Sequence, residues 1–566
     1  MWGLYRGDEL VPPLLYSNEK GQDQVVREIL ELFNSYDIVF LQGAVGTGKS
    51  AIALSVASKM NGGIVVVPTK TLQQQYVKDY CKSGEYKILK DDRAWLRVEL
   101  IKGRSNFRCL LNPRVMCNHK TLPCVKRLRK GSTRVKEAKV CEYYSPVIPM
   151  KLEGTYFKEL DCRFETLRYE AVGGPFSILR RNEEICSYYR QYSNYIFSDV
   201  ILMNSAIWMI ETLTLKRKPI KPVEIIDEGD SFLDGLSLRK VISSRTLKRI
   251  QKKLGDDASE DEREAFEAIK RRFVRVTQKK YEGEIREGEK SFLKQFVKFL
   301  KNIEEEDNYS DIFEFLDECF VSIKSQQNPQ IEYFIPEPSL VLRRLKDLSA
   351  KKVLFMSATF QSHEILENVF GLDNFCFVEG ETKFPGTVYL MQVGTESRVT
   401  YKNWEYKNFR KAYWRVLLKA IKQSTKPCLI PVHAYKYLPD TIRERLIRGK
   451  TGTLRTKNGD IVFSTVMKRG IDLKGDKCRS IILLKYPFPD MNDPVLRAMK
   501  LKLGEKTFWQ YYHDIAEREF IQTIGRGVRS DEDWIELWSP DKTVFGYVKN
   551  LWKGKIVEPN QQKLFI

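Results

Sequence analysis

Long apolar runs are missing from this 566-residue chain. No stretch of eighteen or more apolar residues occurs, so no membrane-spanning helix is expected. Residues 1–13 lack a basic segment followed by an apolar one, so no export signal is expected. Histidine is scarce: His119, His363, His433 and His513 show no metalloprotease or deaminase spacing, although His119 near Cys117 leaves a zinc site open. Proline is absent between Pro222 and Pro329. Lys, Glu and Arg dominate much of that interval, with apolar residues three and four apart from Arg245 to Ser325, so it is expected to be mostly helical. No internal repeat and no long low-complexity tract occurs, which excludes a solenoid and leaves only short linkers.

What is present points to a large, basic, multi-domain protein. The length favours three or four domains. Apolar residues make up 42% of the chain, with 9 Trp, 30 Phe and 27 Tyr, which is ample core material. The formal net charge of +21 suits a polyanionic partner, nucleic acid before an acidic membrane surface. Six of the 11 cysteines, Cys109, Cys117, Cys124, Cys141, Cys162 and Cys186, crowd one segment. Without an export signal, metal or cluster ligation is favoured over disulfides. The spacings fit no zinc-finger template, and buried thiols remain the alternative.

From Gln22 to about Gly103, helical and strand-like patterns alternate, as in a parallel doubly wound sheet. Within this unit Gly43-Ala44-Val45-Gly46-Thr47-Gly48-Lys49-Ser50 follows the apolar run Ile38–Leu41 and opens a helical segment. In that context the glycines let backbone N–H groups close on phosphate oxygens at a helix N-terminus. Lys49 reaches the β/γ-phosphates and Ser50 offers a hydroxyl to Mg²⁺. The segment therefore reads as a nucleoside-triphosphate site. A cysteine-, arginine- and tyrosine-rich insertion runs from Lys102 to about Asn194, and strand patterns resume at Val200–Met203 and Val223–Asp227. At the latter's end Asp227 is expected to hold the metal and Glu228 to orient the attacking water.

Further along, Ser357-Ala358-Thr359 follows the strand-like Val353–Met356, where two hydroxyls could link nucleotide state to domain movement. Gln522, Arg526 and Arg529 are four and three apart, a spacing that puts them on one helical face. Guanidiniums so placed suit the charge developing on a γ-phosphate. Aromatics interleave the basic residues of the insertion: Phe107, Tyr143, Tyr144, Tyr188, Tyr189, Tyr192 and Tyr195. Such rings can stack on bases. Tyr188, Tyr192 and Tyr195, at i, i+4 and i+7, are better read as a packed helical face.

The phosphate loop, Val67-Pro68-Thr69-Lys70-Thr71-Leu72 with Gln75, Lys102–Cys109, Cys186-Ser187-Tyr188-Tyr189, the acidic motif, Met356–Thr359, Gly470-Ile471-Asp472 and Gln522–Arg529 occur in one order. In these the chain resembles the XPD/DinG branch of superfamily 2 DNA helicases, the iron–sulfur helicases. The Lys102–Cys109 string with the later Cys-Ser-Tyr-Tyr is the most specific part. The resemblance implies an α/β protein of two RecA-like motor domains with parallel sheets. An iron–sulfur insertion and a helical arch insertion would interrupt the first. It divides the chain into motor domain 1 (1–102, 195–238 and 341–384), a cluster domain (103–194), the arch (239–340) and motor domain 2 (385–566). It implies ATP and Mg²⁺ as cofactors, with Gln22, Gly43, Gly46, Thr47, Gly48, Lys49, Ser50 and Asp472 around the nucleotide. It assigns Thr69, Arg104, Phe107 and Tyr189 to DNA. A [4Fe–4S] cluster needs four thiolates. The resemblance selects Cys109 and Cys186. Cys124 and Cys141 are taken as the middle pair, with Cys117 and Cys162 as alternates.

Two positions depart from the family pattern: Asp230 stands where His is usual, and Arg469 where an acidic residue is usual before Gly470-Ile471-Asp472. Hydrolysis should survive, but its coupling to DNA is put in question. The leading expectation is an ATP-dependent helicase moving 5′→3′ on single-stranded or forked DNA, in repair, replication or recombination. It would act as a monomer, nucleoid-associated in a prokaryote or virus and nuclear in a eukaryote. The alternatives are a nucleic-acid-stimulated ATPase that remodels nucleoprotein without processive unwinding, and a zinc-containing or RNA-directed motor.

Overall fold

The computed structural model describes residues 2–126, 132–160, 165–255, 258–303, 309–325, 328–448, 453–465, 475–528 and 530–558. Cys162, Arg469, Gly470-Ile471-Asp472 and Arg529 lie outside these. No helix among the described residues is long and apolar enough to cross a membrane.

Two seven-stranded sheets organise the molecule. The first orders Phe375–Glu379, Ile38–Gln42, Lys352–Ser357, Val223–Asp227, Gly63–Val67, Val200–Asn204 and Val98–Leu100, all parallel. Its central strands are buried on both faces and largely apolar because helices cover both faces, leaving no solvated side to alternate toward. The helix Gln22–Leu32 buries Val25, Val26 and Ile29, and Lys49–Lys59 is buried from Ala51 to Ser58. The register sets Ser357 against Gln42 and Met356 against Asp227. The phosphate loop, the acidic motif and Ser357-Ala358-Thr359 therefore leave the carboxyl ends of three adjacent strands, the edge where open α/β sheets bind ligands.

The second sheet orders Thr453–Arg455, Ile461–Ser464, Cys428–Pro431, Ser480–Ile482, Trp534–Trp538, Thr387–Met391 and Lys555–Val557. It is parallel except for the first pairing. The fold is thus α/β with two RecA-like units, each built on its own parallel sheet.

Two insertions interrupt the first unit. The cysteine-rich one carries a small antiparallel sheet, Val147–Pro149, Gly174–Arg180 and Glu165–Ala171. The second contains the helices Ser244–Leu254, Glu260–Val276 and Glu287–Asn302, and beside them a four-stranded antiparallel sheet. That sheet, Lys240–Ser243, Gln330–Phe334, Phe320–Lys324 and Tyr281–Glu284, was not expected from the sequence and stands beside the helices that were. Phe320–Ile323 and Ile331–Phe334 are buried on both faces, so they show no alternation to distinguish strand from helix.

A buried ion pair braces the central strand. Lys218 and Glu224 bond to each other with both side chains withdrawn from water. Glu224 also accepts from Trp208 Nε1 and the Ala350 amide, both at 2.9 Å. Burial pushes the Lys218 ammonium below its usual range, and the charge of Glu224 opposes that shift. Lys218→Met should cost about 3–5 kcal/mol by stranding Glu224. Adding Glu224→Gln should return much of it while keeping an acceptor for Trp208. Denaturant unfolding of the single and double variants measures both, and a single variant as stable as the parent would refute the brace.

Candidate active site between the motor domains

The phosphate loop is shaped by its glycines. Gly46 and Gly48 take φ of 86° and 75°, in the left-handed region that suits glycine. A Cβ at Gly48 would also lie 2.2 Å from Gln22 Nε2. Gln22 is buried and ties the loop down: its Nε2 donates to the Thr47 and Gly48 carbonyls at 3.2 and 3.4 Å, while its Oε1 accepts from the Leu14 amide. Tyr16 donates to the Thr47 carbonyl at 2.8 Å. Lys49 Nζ donates to the carbonyls of Gly43 and Ala44 at 2.6 and 2.9 Å, holding its ammonium over the loop.

Facing it, Asp227 ends its strand buried. Burial raises its carboxyl above the usual range, and the nearby charge of Lys49 and a hydrogen bond from Tyr76 pull it back. Tyr76 Oη donates to Asp227 Oδ2 at 2.8 Å and is also hydrogen-bonded to Ser50. One buried hydroxyl therefore joins the two side chains expected to hold magnesium. Glu228 follows with φ of 52°, a left-handed conformation that a non-glycine residue adopts at a cost. The residue is half-buried, and its amide donates to Asp227 Oδ1 at 2.9 Å.

The second motor domain reaches the same edge through the helix Glu505–Ile524. Gln522 Nε2 donates to Asp230 Oδ2 at 2.8 Å and to Thr359 Oγ1 at 2.9 Å. Ser357 Oγ donates to Asp230 Oδ1 at 2.7 Å. The acidic motif, the serine–threonine pair and Gln522 are thus one network across the domain boundary. Arg526 is buried, but the helix stops at Ile524, so helical spacing does not carry on from Gln522 to Arg526. Just beyond, Gly527 sits where no side chain fits: a Cβ there would lie 2.6 Å from Ile535 Cγ2.

In the cysteine-rich insertion Cys109, Cys117, Cys141 and Cys186 are buried and Cys124 is half-buried. Cys117 hydrogen-bonds to Cys124 and Cys186. Its thiol is pushed up while those of Cys124 and Cys186 are drawn down to about 6, chiefly by that bond. Burial pushes Cys141 up to about 11, and it lies within electrostatic reach of Cys124, Cys109 and Cys186. Arg104 points Nη1 at Cys117 and Cys124, 3.8 and 3.7 Å away, and donates to Tyr189 Oη at 2.9 Å. Its guanidinium lies over the Tyr188 ring. The five thiols thus gather, but among the described residues no three His, Cys, Asp or Glu side chains are disposed as a metal ion's shell.

Of the residues assigned to DNA, Arg104 and the buried Tyr189 face this thiol group, and Phe107 packs edge-on against Tyr188. Thr69 caps the helix Lys70–Tyr80 by accepting from the Leu72 amide. Tyr188, Tyr192 and Tyr195 are buried against one another. A larger opening lies in the second motor domain: a cavity of about 900 Å³ whose lining includes Tyr401, Lys436, Tyr437, Lys485, Phe488 and Tyr512. Burial, and then the charge of Lys436, push the Lys485 ammonium down.

The sequence reading missed Tyr16, Tyr76, Arg518 and this cavity. Arg518 could have been found, since it stands four residues before Gln522 on one helix. Tyr76 carried no signal, because its partner Asp227 is 151 positions away. Tyr76→Phe should weaken the Ser50–Asp227 cradle. We expect the Mg²⁺ concentration for half-maximal ATP hydrolysis to rise about tenfold, the lower end for residues that orient metal ligands. An unchanged Mg²⁺ titration would refute that role.

A family profile described as a helicase C-terminal domain matches residues 406–547. No curated protein matches the chain in sequence. Among solved structures, an XPD helicase superposes with a TM-score of 0.60 at 17% identity, covering 95% of this chain and 98% of that one. An XPD in its apo form gives 0.55 at 15% identity, with 95% and 99% covered. S. tokodaii Xpd4 gives 0.52 at 12% identity, again with 95% and 99% covered. At these identities the likeness establishes the fold. The chain thus carries a helicase C-terminal domain over residues 406–547 and has the fold of the XPD helicases.

Proposed function

We propose that the chain unwinds DNA by moving 5′→3′ along a single strand, with an iron–sulfur cluster in its cysteine-rich insertion. The observation that carries the reading is the meeting of Lys49, Ser50, Asp227, Ser357, Thr359 and Gln522 at one sheet edge across two motor domains. Lys49 and the loop amides would bind the β- and γ-phosphates, and Glu228 would hold the attacking water. Ser50 and Asp227 would hold the magnesium ion, which neutralises charge on the β- and γ-phosphates. Arg526, with Arg529, would stabilise the charge that develops on the departing γ-phosphoryl group. Gln522 and Thr359 would pass the resulting change to the second domain.

For the nucleic acid, the cavity in the second motor domain offers what a sequence-tolerant strand site uses: rings to stack on and ammoniums for phosphates. Lys436 and Lys485 lie 5.5 and 5.2 Å from the Tyr437 ring centre. The donor chemistry of the insertion suits an iron–sulfur cluster, since its thiols converge without a disulfide among the described residues. Cys109, Cys124, Cys141 and Cys186 would hold it. Cys117, bonded to two of them, is the competing donor, and Cys162 is the other alternate.

The buried Asp230, where the family has His, favours a second reading, an ATPase that remodels nucleoprotein without processive unwinding. Lys49→Ala and Glu228→Gln should abolish turnover, with Glu228→Gln still binding ATP because the phosphate loop is intact. A duplex with a 5′ overhang should be unwound and one with only a 3′ overhang should not. ATP hydrolysis stimulated by DNA without strand displacement on either substrate would favour the second reading.

Iron content tests the cluster separately. Protein purified without oxygen should be brown, Cys109→Ser should lose its iron, and Cys117→Ser should keep it. A colourless Cys117→Ser beside a brown Cys124→Ser would overturn the choice of middle ligands. Zinc in place of iron would overturn the cluster.

A further inference from the structure

We propose that Asp230 and Arg518 form a charged positioning pair through which the second motor domain sets the catalytic geometry of Glu228 and the phosphate loop. The inference rests on the ATP-hydrolysis reading above and adds how that site is governed. Asp230 is fully buried, and a carboxylate so placed requires compensation. Ser357 and Gln522 supply hydrogen bonds at 2.7 and 2.8 Å but no charge. Arg518 supplies charge: its Nη1 lies 3.4 Å from Asp230 Oδ2, with its side chain only 4% exposed.

Arg518 is itself held from several sides. Its Nη1 and Nη2 donate to Asp234 at 2.7 and 3.1 Å, and its Nε to Asp514 at 2.7 Å. Tyr511 Oη donates to Asp234, and Gln361 Nε2 donates to both Asp234 and the Asp230 carbonyl. Three carboxylates therefore share one guanidinium. Burial lifts Asp514 to about 6 against the pull of Arg518, as expected where positive charge is scarce. Asp234 and Asp514 retain 21% and 16% exposure and can reach water, whereas Asp230 cannot. Displacing Arg518 would strand Asp230 above all.

Two short connections carry that dependence into the chemistry. Asp230 lies in the first turn after Glu228, whose carbonyl accepts from the Ser231 and Phe232 amides at 3.0 and 3.1 Å. A shift at Asp230 therefore moves the backbone that orients the Glu228 carboxylate. Ser357, bonded to Asp230 through its hydroxyl, accepts through its carbonyl from the Gly43 amide at the start of the phosphate loop, 3.0 Å away. Histidine, the family's usual residue here, could make the neutral bonds to Ser357 and Gln522 without a cation. Aspartate cannot, and Arg518 meets the requirement that this substitution creates.

A double-mutant cycle on the full chain tests the pair, with ATP hydrolysis measured with and without single-stranded DNA. Arg518→Met should lower DNA-stimulated kcat by at least about tenfold with KM for ATP nearly unchanged. Arg518→Lys should restore part of it. Asp230→Asn should lose less, because Asn can still accept from Ser357. In the double variant no carboxylate cut off from water needs the guanidinium, so kcat should recover about tenfold over Arg518→Met. Effects of the two substitutions that simply multiply would overturn the pair, as would a rise in KM alone. If Arg518→Met does not fold, failure of the double variant to restore folding counts the same way. A Lys49→Ala control separates the two claims. Its hydrolysing ATP at the parental rate would overturn the active site itself, while its loss of activity beside multiplying effects would overturn only the pair.

Discussion

Carboxylates buried at the end of one strand impose most of what surrounds them. Asp227 and Asp230 lie three residues apart, both almost without water, and the charge of Asp230 helps to raise the Asp227 carboxyl. Neither would hold a charge there unaided. Lys49 and Tyr76 answer for the first, from the same domain. Ser357, Gln522 and Arg518 answer for the second, two of them from the other domain. The strand order follows from this need. Only when Ile38–Gln42, Lys352–Ser357 and Val223–Asp227 are neighbours, in this register, do all these groups arrive at one edge.

The unequal legibility of the site has a physical cause. A phosphate loop is contiguous, because successive amides of one turn must surround one phosphate, so its glycines, Lys49 and Ser50 are readable as a string. Asp227 and Glu228 are readable for a similar reason, since both must leave a single strand end. Tyr76 is not, because its partner is 151 positions distant; Arg518 is readable on the helix of Gln522, but its pairing is not, because Asp230 is 288 positions away and only the fold brings them together. Asp230 was visible as a departure from a family pattern, but its consequence was not, because the compensating cation sits on another domain.

The insertions show the same division at larger scale. Cysteine crowding is legible in the sequence, yet five described thiols converge, and the order of residues along the chain does not rank them. In the arch, helices are legible from their one-sided apolar periodicity. Phe320–Lys324 and Gln330–Phe334 are not, since strands enclosed on both faces lose the alternation that would reveal them.

The second motor domain is held to the rest of the chain by contacts of two different kinds, and the difference bears on how it can move. Arg239 pairs with Asp493, Arg497 with Glu282 and Lys502 with Glu284, joining the arch to the helix Pro494–Leu503 and its cap. All three pairs touch solvent, so each contributes about 0–1 kcal/mol and can exchange for water as the domain shifts. The contact of Arg518 with Asp230 has no such substitute, because water does not reach Asp230. Small displacements of the second domain are therefore tolerated at the arch and resisted at the nucleotide site. Such an arrangement concentrates the free-energy cost of opening at the strand ends that carry Asp227 and Asp230, and leaves the outer contacts free to slide.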